Sequence, residues 1–251
     1  MKRFFLASLS LLFIAFTSCK ENKPTLQKIT GTQININDSI ESDAKIVEYI
    51  KPFKENIDKQ MDSVLSYSAK SISKSDGEYN TAIGNMMADA VYDMAGPVFK
   101  ERTGKDLDAV LLNHGGIRAP LGEGPITTRT AFEIMPFENS IVVVEISGEK
   151  AKEMFEYLKR GKAHPISHMQ LIIDKDRNIV KSTIQGKPVE DNETYFIATN
   201  DYLQQGGDGM VFLGESISME VLNYKVRNVL IDYFGKKDTI APVRDNRFIQ
   251  E

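Results

Sequence analysis

Tryptophan is absent, cysteine occurs once and histidine three times. Each scarcity excludes something. The single thiol, Cys19, cannot close an internal disulfide, so no disulfide framework supports the fold. Cations are not in excess: 31 Lys and Arg face 35 Asp and Glu, giving a formal net charge of −4. Without a basic stripe, a nucleic-acid polymer is not an expected partner. No Gly-x-Ser-x-Gly elbow occurs, and the glycine cluster at Gly122–Pro125 lacks the Lys-Ser/Thr of a phosphate-binding P-loop. No internal repeat or low-complexity segment is visible.

Long apolar runs are also missing, and the one at the start is short. Lys2 and Arg3 precede an apolar stretch from Phe4 to about Phe16, too short for a stop-transfer helix. Small residues then lead into Cys19 in "FTSC". That pattern suits a bacterial lipoprotein signal over residues 1–18, cleavage before Cys19 and lipidation of its thiol. The other reading is an ordinary signal with a stray cysteine. On the first, the protein is exported and lipid-anchored to a bacterial membrane, on the periplasmic or the outer-membrane and cell-surface side, each buried methylene adding about 0.8 kcal/mol.

What is present describes an ordinary globule, 41% hydrophobic. Residues 19–42 are polar, carry Pro24 and Gly31, and read as a tether with a short strand near Gln33 to Ile36. Residues 43–251 read as one domain with a leading helix. Apolar residues at Ile46, Ile50, Phe53, Ile57, Met61 and Val64 predict a long amphipathic helix from Asp43 to about Tyr67, kinked or interrupted at Pro52. Ile83, Met87, Ala90, Val91 and Met94 predict a second, with Asn80 as N-cap. "DAVLLN", "SIVVVEI", "MQLIID", "NIVKSTI" and "YFIAT" read as strands. Ser147 caps a helix ending at Gly161, and "MEVLNYKVRNVLIDYFG" reads as a last helix before Gly235. Intermixed helices and strands predict an α/β (α+β) fold, a mixed sheet with helices packed on it.

The three histidines give no metal motif. His164 and His168 are spaced for one helix face, but Pro165 between them argues against a helix. Asn113-His114 faintly resembles a metallophosphatase Asn-His pair, yet no Asp-x-His accompanies it. They are read as polar loop histidines, and no catalytic residue or metal ligand is assigned to this chain.

Two loops remain. Asn113 to Arg118, "NHGGIR", follows a buried strand; Gly115 and Gly116 let backbone approach a ligand, and Arg118 offers a planar fork that matches phosphate oxygens. A tight turn with an arginine salt bridge explains the same residues. "TNDYLQQGGDGM", from Thr199, also follows a strand: Tyr202 supplies a flat ring, and Gly206 and Gly207 precede Asp208, whose carboxylate can accept two sugar hydroxyl protons. A Gly-Asp-Gly turn with a core tyrosine explains it equally. Together, one cationic and one acidic loop with an aromatic suit a nucleotide better than either alone.

These segments carry a resemblance. "NHGGIRAPLGEGPITTRTAFEIMPFENSIVVVEISG" resembles the Asn-Gly-Gly-Gly-Ile-Arg stretch of the 5′-nucleotidase C-terminal domain and the Pro-Phe turn and strand that follow it. "YFIATNDYLQQGGDGMVFL" and "IGNMMADAV" resemble two further stretches, in family order, from about Ser75 onward. The resemblance implies a substrate-binding domain of the 5′-nucleotidase and UDP-sugar hydrolase family. In it Phe137 and Tyr202 sandwich a base, Asn113 lies near it, Asp208 holds the ribose hydroxyls, Arg118 meets the phosphate, and the glycines of the two loops, Gly115, Gly116 and Gly207 among them, admit the nucleotide. The sequence departs from the pattern in three places. Tyr202 stands where the family more often has Phe, His114 replaces the first glycine, and "GEYNTAIGN" lacks a second phosphate-binding arginine. The metallophosphatase half of that family has no counterpart among these motifs. The expectation is therefore the specificity half of a split nucleotidase acting in nucleotide catabolism, its divalent metals carried by a separate metallophosphatase subunit; the alternative is a freestanding nucleotide- or nucleoside-binding lipoprotein without catalysis.

Overall fold

The computed structural model describes residues 26–251. The leader and Cys19 lie outside them. The chain divides into a unit of residues 1–49 and one of residues 50–251. No strand forms at Gln33 to Ile36; the described part of the first unit is irregular until a turn where the Asn37 carboxamide accepts from Ser39 N at 3.0 Å.

Helix α1 runs Ala44–Met61, with the Asp43 carboxylate accepting from Lys45 N at 2.9 Å at its start. It passes through Pro52 and stops earlier than its apolar spacing predicts. Val64–Ser68 is instead strand β1, alternating toward a buried Ser66 and Ser68. It pairs antiparallel with β3 (Gly124–Thr127) and parallel with β11 (Thr239–Ile240).

The centre of the second unit is a five-stranded sheet. It is formed by β2 (Ala109–Leu111), β4 (Ser140–Ser147), β5 (Ile166–Ser167), β9 (Thr194–Asn200) and β10 (Ser218–Lys225), in the order β10-β4-β9-β2-β5. Strand β4 shows why both faces must be covered. Val143 points into one apolar cluster and Val142 and Val144 into another, because successive side chains alternate across a strand. The first cluster holds α2 (Ala82–Thr103), α3 (Thr128–Ile134) and α6 (Val226–Gly235). The second holds α4 (Gly148–Leu158) and the inner face of a four-stranded sheet, β12-β6-β7-β8, from β6 (Met169–Ile173), β7 (Ile179–Ile184), β8 (Lys187–Pro188) and β12 (Phe248–Gln250).

Several boundaries differ from those predicted. Thr81, not Asn80, caps α2: its hydroxyl accepts from Gly84 N at 3.1 Å, while the Asn80 amide is buried and donates to Asp245 O and Phe248 O. The helix continues through Pro97 to Thr103 and closes on Gly104 at φ 73°. "MEVLNYK" is strand β10, not helix, and "TRTAFEI" is helix α3, which period reasoning missed. Ser147 caps α4 as expected, accepting from Lys150 N at 3.3 Å.

Candidate functional site

Sheet topology brings the loops together. Strands β2 and β9 are parallel neighbours, Val110 opposite Ala198, so both chains leave the sheet at the same end. Strand β4 is antiparallel to β9, Ile141 opposite Asn200, so the segment leading into β4 arrives there too. The loop after β2 carries Asn113 to Arg118, the one after β9 carries Tyr202 to Asp208, and the one before β4 carries Phe137. A crevice beyond the carboxyl ends of adjacent parallel strands is where open α/β sheets hold ligands.

Around it lies a cavity of about 410 Å³ lined by Asn113, Gly115, Gly116, Arg118, Phe137, Asn139, Tyr202 and Asp208. Seven of the eight residues singled out from the sequence are on that wall; Gly207 is not, and Asn139 joins it. Phe137 and Tyr202 are 40% and 44% exposed although both are large aromatics, which leaves ring surface available to a flat ligand.

Each aromatic is held by its surroundings. The turn of Phe137 is fixed by Arg227, which is buried, donates to Pro136 O at 3.3 Å, Phe137 O at 3.4 Å and Glu138 Oε1 at 2.5 Å, and stacks 3.9 Å from the Phe132 centroid. Hydrogen bonds from Lys225 and Arg227 hold the Glu138 carboxyl down at about 2. The Asn139 amide donates to Asp201 Oδ1 at 2.9 Å, joining this turn to the loop after β9. Tyr202 lies against Gly207, where an added β-carbon would come within 2.5 Å of its ring.

Asn113 is buried and accepts from Asn200 Nδ2 at 3.4 Å, while Asn200 Oδ1 caps α5 (Asp201–Gln204), the short helix that bears Tyr202, by accepting from Leu203 N at 2.9 Å. A β-carbon on Gly116 would stand 3.0 Å from Asn113 Oδ1, so the glycine permits this close approach. Arg118 is exposed, has no carboxylate partner among the described residues, donates weakly to Gly115 O at 3.4 Å and sits 5.7 Å from the Phe137 centroid. The arginine salt bridge that would make this loop merely structural is therefore not formed.

Sequence reasoning missed Lys74. Its ammonium donates to Ile117 O at 2.8 Å, one residue from Arg118, and it too lacks a carboxylate partner among the described residues. The segment from Ser71 to Asn80 carries no periodic signal, so only the fold could place it. Tyr157 was also missed: it lies on α4, and its hydroxyl donates to Asp208 O at 2.8 Å.

The histidines do not form a metal centre. His114 N donates to His164 Nδ1 at 3.3 Å, the His114 ring lies 3.2 Å from Ala163 O, and His168 stacks on Tyr92 at 3.4 Å. Burial lowers His164 to about 4 and depresses His114 and His168 as well. Among the described residues no group of three or more His, Cys, Asp or Glu is placed to hold a metal ion.

The chain is thus a mixed α/β domain with an aromatic-, arginine- and aspartate-lined crevice at the carboxyl edge of its central sheet. The profile of the 5′-nucleotidase C-terminal domain matches residues 63–215, and the chain belongs to that family. An apyrase of Tabanus yao is 24% identical over 90% of this chain and 45% of its own length. Protein UshA of Yersinia enterocolitica is 27% identical over 43% of the chain and 20% of its own length. A 5′-nucleotidase precursor of Thermus thermophilus shares the fold at a TM-score of 0.68 and 20% identity, over 81% of this chain and 42% of that one. The chain thus spans under half the length of these relatives.

Proposed function

We propose that this chain binds a nucleotide or nucleoside in the cavity at the carboxyl edge of the central sheet. It positions the ligand for hydrolysis by a separate metallophosphatase chain in nucleotide catabolism. The observation that carries the reading is the convergence of two exposed rings, Phe137 and Tyr202, with Arg118 and Asp208 around one cavity. The base lies between the rings, each stacked face contributing ~1–3 kcal/mol. Asn113 borders the base, Asp208 meets the sugar, and the phosphate lies toward Arg118 and Lys74. Lys74 takes the part of the second cation that the sequence motif lacks. The separate chain supplies the metals that activate water and neutralise developing charge in phosphoester hydrolysis.

Titration calorimetry of the purified chain with adenosine and its monophosphate tests the binding. Phe137→Ala should weaken both by ~1–3 kcal/mol, one stacking face. Arg118→Ala should weaken the monophosphate more than the nucleoside. Equal losses for the two ligands would make Arg118 structural and move the phosphate elsewhere.

The leader pattern supports export and anchoring through Cys19 to a bacterial membrane. Cells given radiolabelled palmitate should label the protein, and Cys19→Ala should abolish the label; undiminished labelling of the variant would refute the anchor.

A further inference from the structure

We infer that the Tyr202 hydroxyl is a positioning group: it fixes the Asp208 carboxylate so that a single oxygen, Oδ2, meets the ligand, and the site therefore reads one sugar hydroxyl rather than a diol. The inference rests on the functional reading above and deepens it.

A phenylalanine at 202 would stack on a base as well as a tyrosine does, so stacking does not account for the hydroxyl. The hydroxyl has its own partners. It donates to Asp208 Oδ1 at 2.9 Å and accepts from Asp208 N at 3.2 Å, a reciprocal pair between one side chain and one residue. Asp208 itself stands at φ 53°, ψ 15°, the left-handed region a residue with a β-carbon seldom occupies without support. Its neighbours Gly206 and Gly209 share that region at φ 87° and 77°. Tyr157 holds the same residue from the other side through its carbonyl. The conformation is thus fixed at three points: carboxylate, amide and carbonyl.

The consequence is an asymmetric carboxylate. Oδ1 is engaged by a phenol that is itself anchored against Gly207. Oδ2 has no hydrogen-bond partner among the described residues and lies 3.9 Å from the β-carbon position of Gly115, on the facing loop of the cavity. A free carboxylate accepts from two adjacent hydroxyls, one to each oxygen. Here Tyr202 takes one of the two lone pairs of Oδ1 and fixes the rotation that turns Oδ2 toward the facing loop, so Oδ2 is the oxygen presented to the ligand.

The test is calorimetry on the purified chain and on Tyr202→Phe, which keeps the ring. The ligands are the tightest-binding of adenosine, guanosine and uridine, with its 2′-deoxy, 3′-deoxy and 2′,3′-dideoxy forms. In the wild type one deoxy form should bind about tenfold more weakly than the ribonucleoside, the worth of one charge-assisted hydrogen bond, and the other less than about twofold. In Tyr202→Phe the ribonucleoside should weaken about tenfold, the two deoxy forms should become equivalent, and the dideoxy form should bind as before. A variant that keeps the wild-type difference between deoxy forms, or that loses the dideoxy form as strongly as the ribonucleoside, would overturn the proposal. If no nucleoside binds the wild type, the functional reading fails and the hydroxyl selectivity with it. Hydrogen exchange of the amides from Gly207 to Met210 then decides the positioning role alone: exchange should be faster in the variant, and unchanged exchange would refute it.

Discussion

Arg227 accounts for an otherwise costly feature, a phenylalanine left in solvent. A large exposed ring gains nothing for folding, so its turn must be held by something else. The Arg227 guanidinium does so, stacked on Phe132 and bonded to three groups of the Pro-Phe-Glu turn. The places of Arg118 and Phe137 on the cavity wall were legible in the sequence because both lie in loops flanking buried strands, where ligand loops sit. Arg227 and Lys74 were not, because a cation inside a helix or an irregular segment has no local signature. His164 gives a pH dependence at the same scale. Burial lowers it from 6.5 to about 4. Above pH 6.5 neither folded nor unfolded chain binds the proton, and the group is silent. As pH falls below that, the unfolded chain takes up the proton first, so stability is lost down to about pH 4, by up to about 3 kcal/mol. Urea midpoints from about pH 7.5 to about pH 4.5 should fall less steeply for His164→Asn, whose carboxamide oxygen can replace Nδ1 as the acceptor for His114 N. Parallel slopes would show that another group titrates.

At the scale of elements, the failures share one cause. Leu222, Val226, Val229 and Leu230 all enter the same cluster at steps of four, three and one, so the spacing reads as helix across the real boundary between β10 and α6. No side-chain cap marks the junction at Lys225, where a cap would have signalled a helix start. The run from Met61 into β1 misleads in the same way. Strands with one unambiguous context, such as β4 and β9, were read correctly because both faces are buried and the apolar run is continuous. Long-range pairing is beyond local pattern: β12 adds parallel to β6, and its Phe248 is only 1% exposed in the second cluster. Removing that ring should therefore act far from its place in the sequence. Phe248→Ala should cost about 3–5 kcal/mol in urea denaturation, with the nucleoside affinity of the folded chain unchanged under native conditions. A loss below about 1 kcal/mol would mean that the terminal strand does not belong to that core.

At the scale of the whole molecule, no group of three or more His, Cys, Asp or Glu among the described residues is placed to hold a metal ion. Positioning alone can be worth several powers of ten in rate when another component supplies the chemistry. The family pattern was readable because its three motifs combine glycine, arginine, aromatic and aspartate in a fixed order. Their convergence on one cavity was not, since it depends on β2 and β9 being parallel neighbours and β4 running the other way. The central claim is that this chain positions a nucleotide for a metallophosphatase on another chain. Phosphate release from nucleoside monophosphates should be measured with Mn²⁺, Zn²⁺ or Mg²⁺ for the purified chain, for an exported metallophosphatase from the same genome, and for their mixture. The account predicts background release by this chain alone, and faster release with a narrower substrate range in the mixture than with the metallophosphatase alone. Metal-dependent turnover by this chain alone, lost on His114→Ala or His168→Ala, would contradict it.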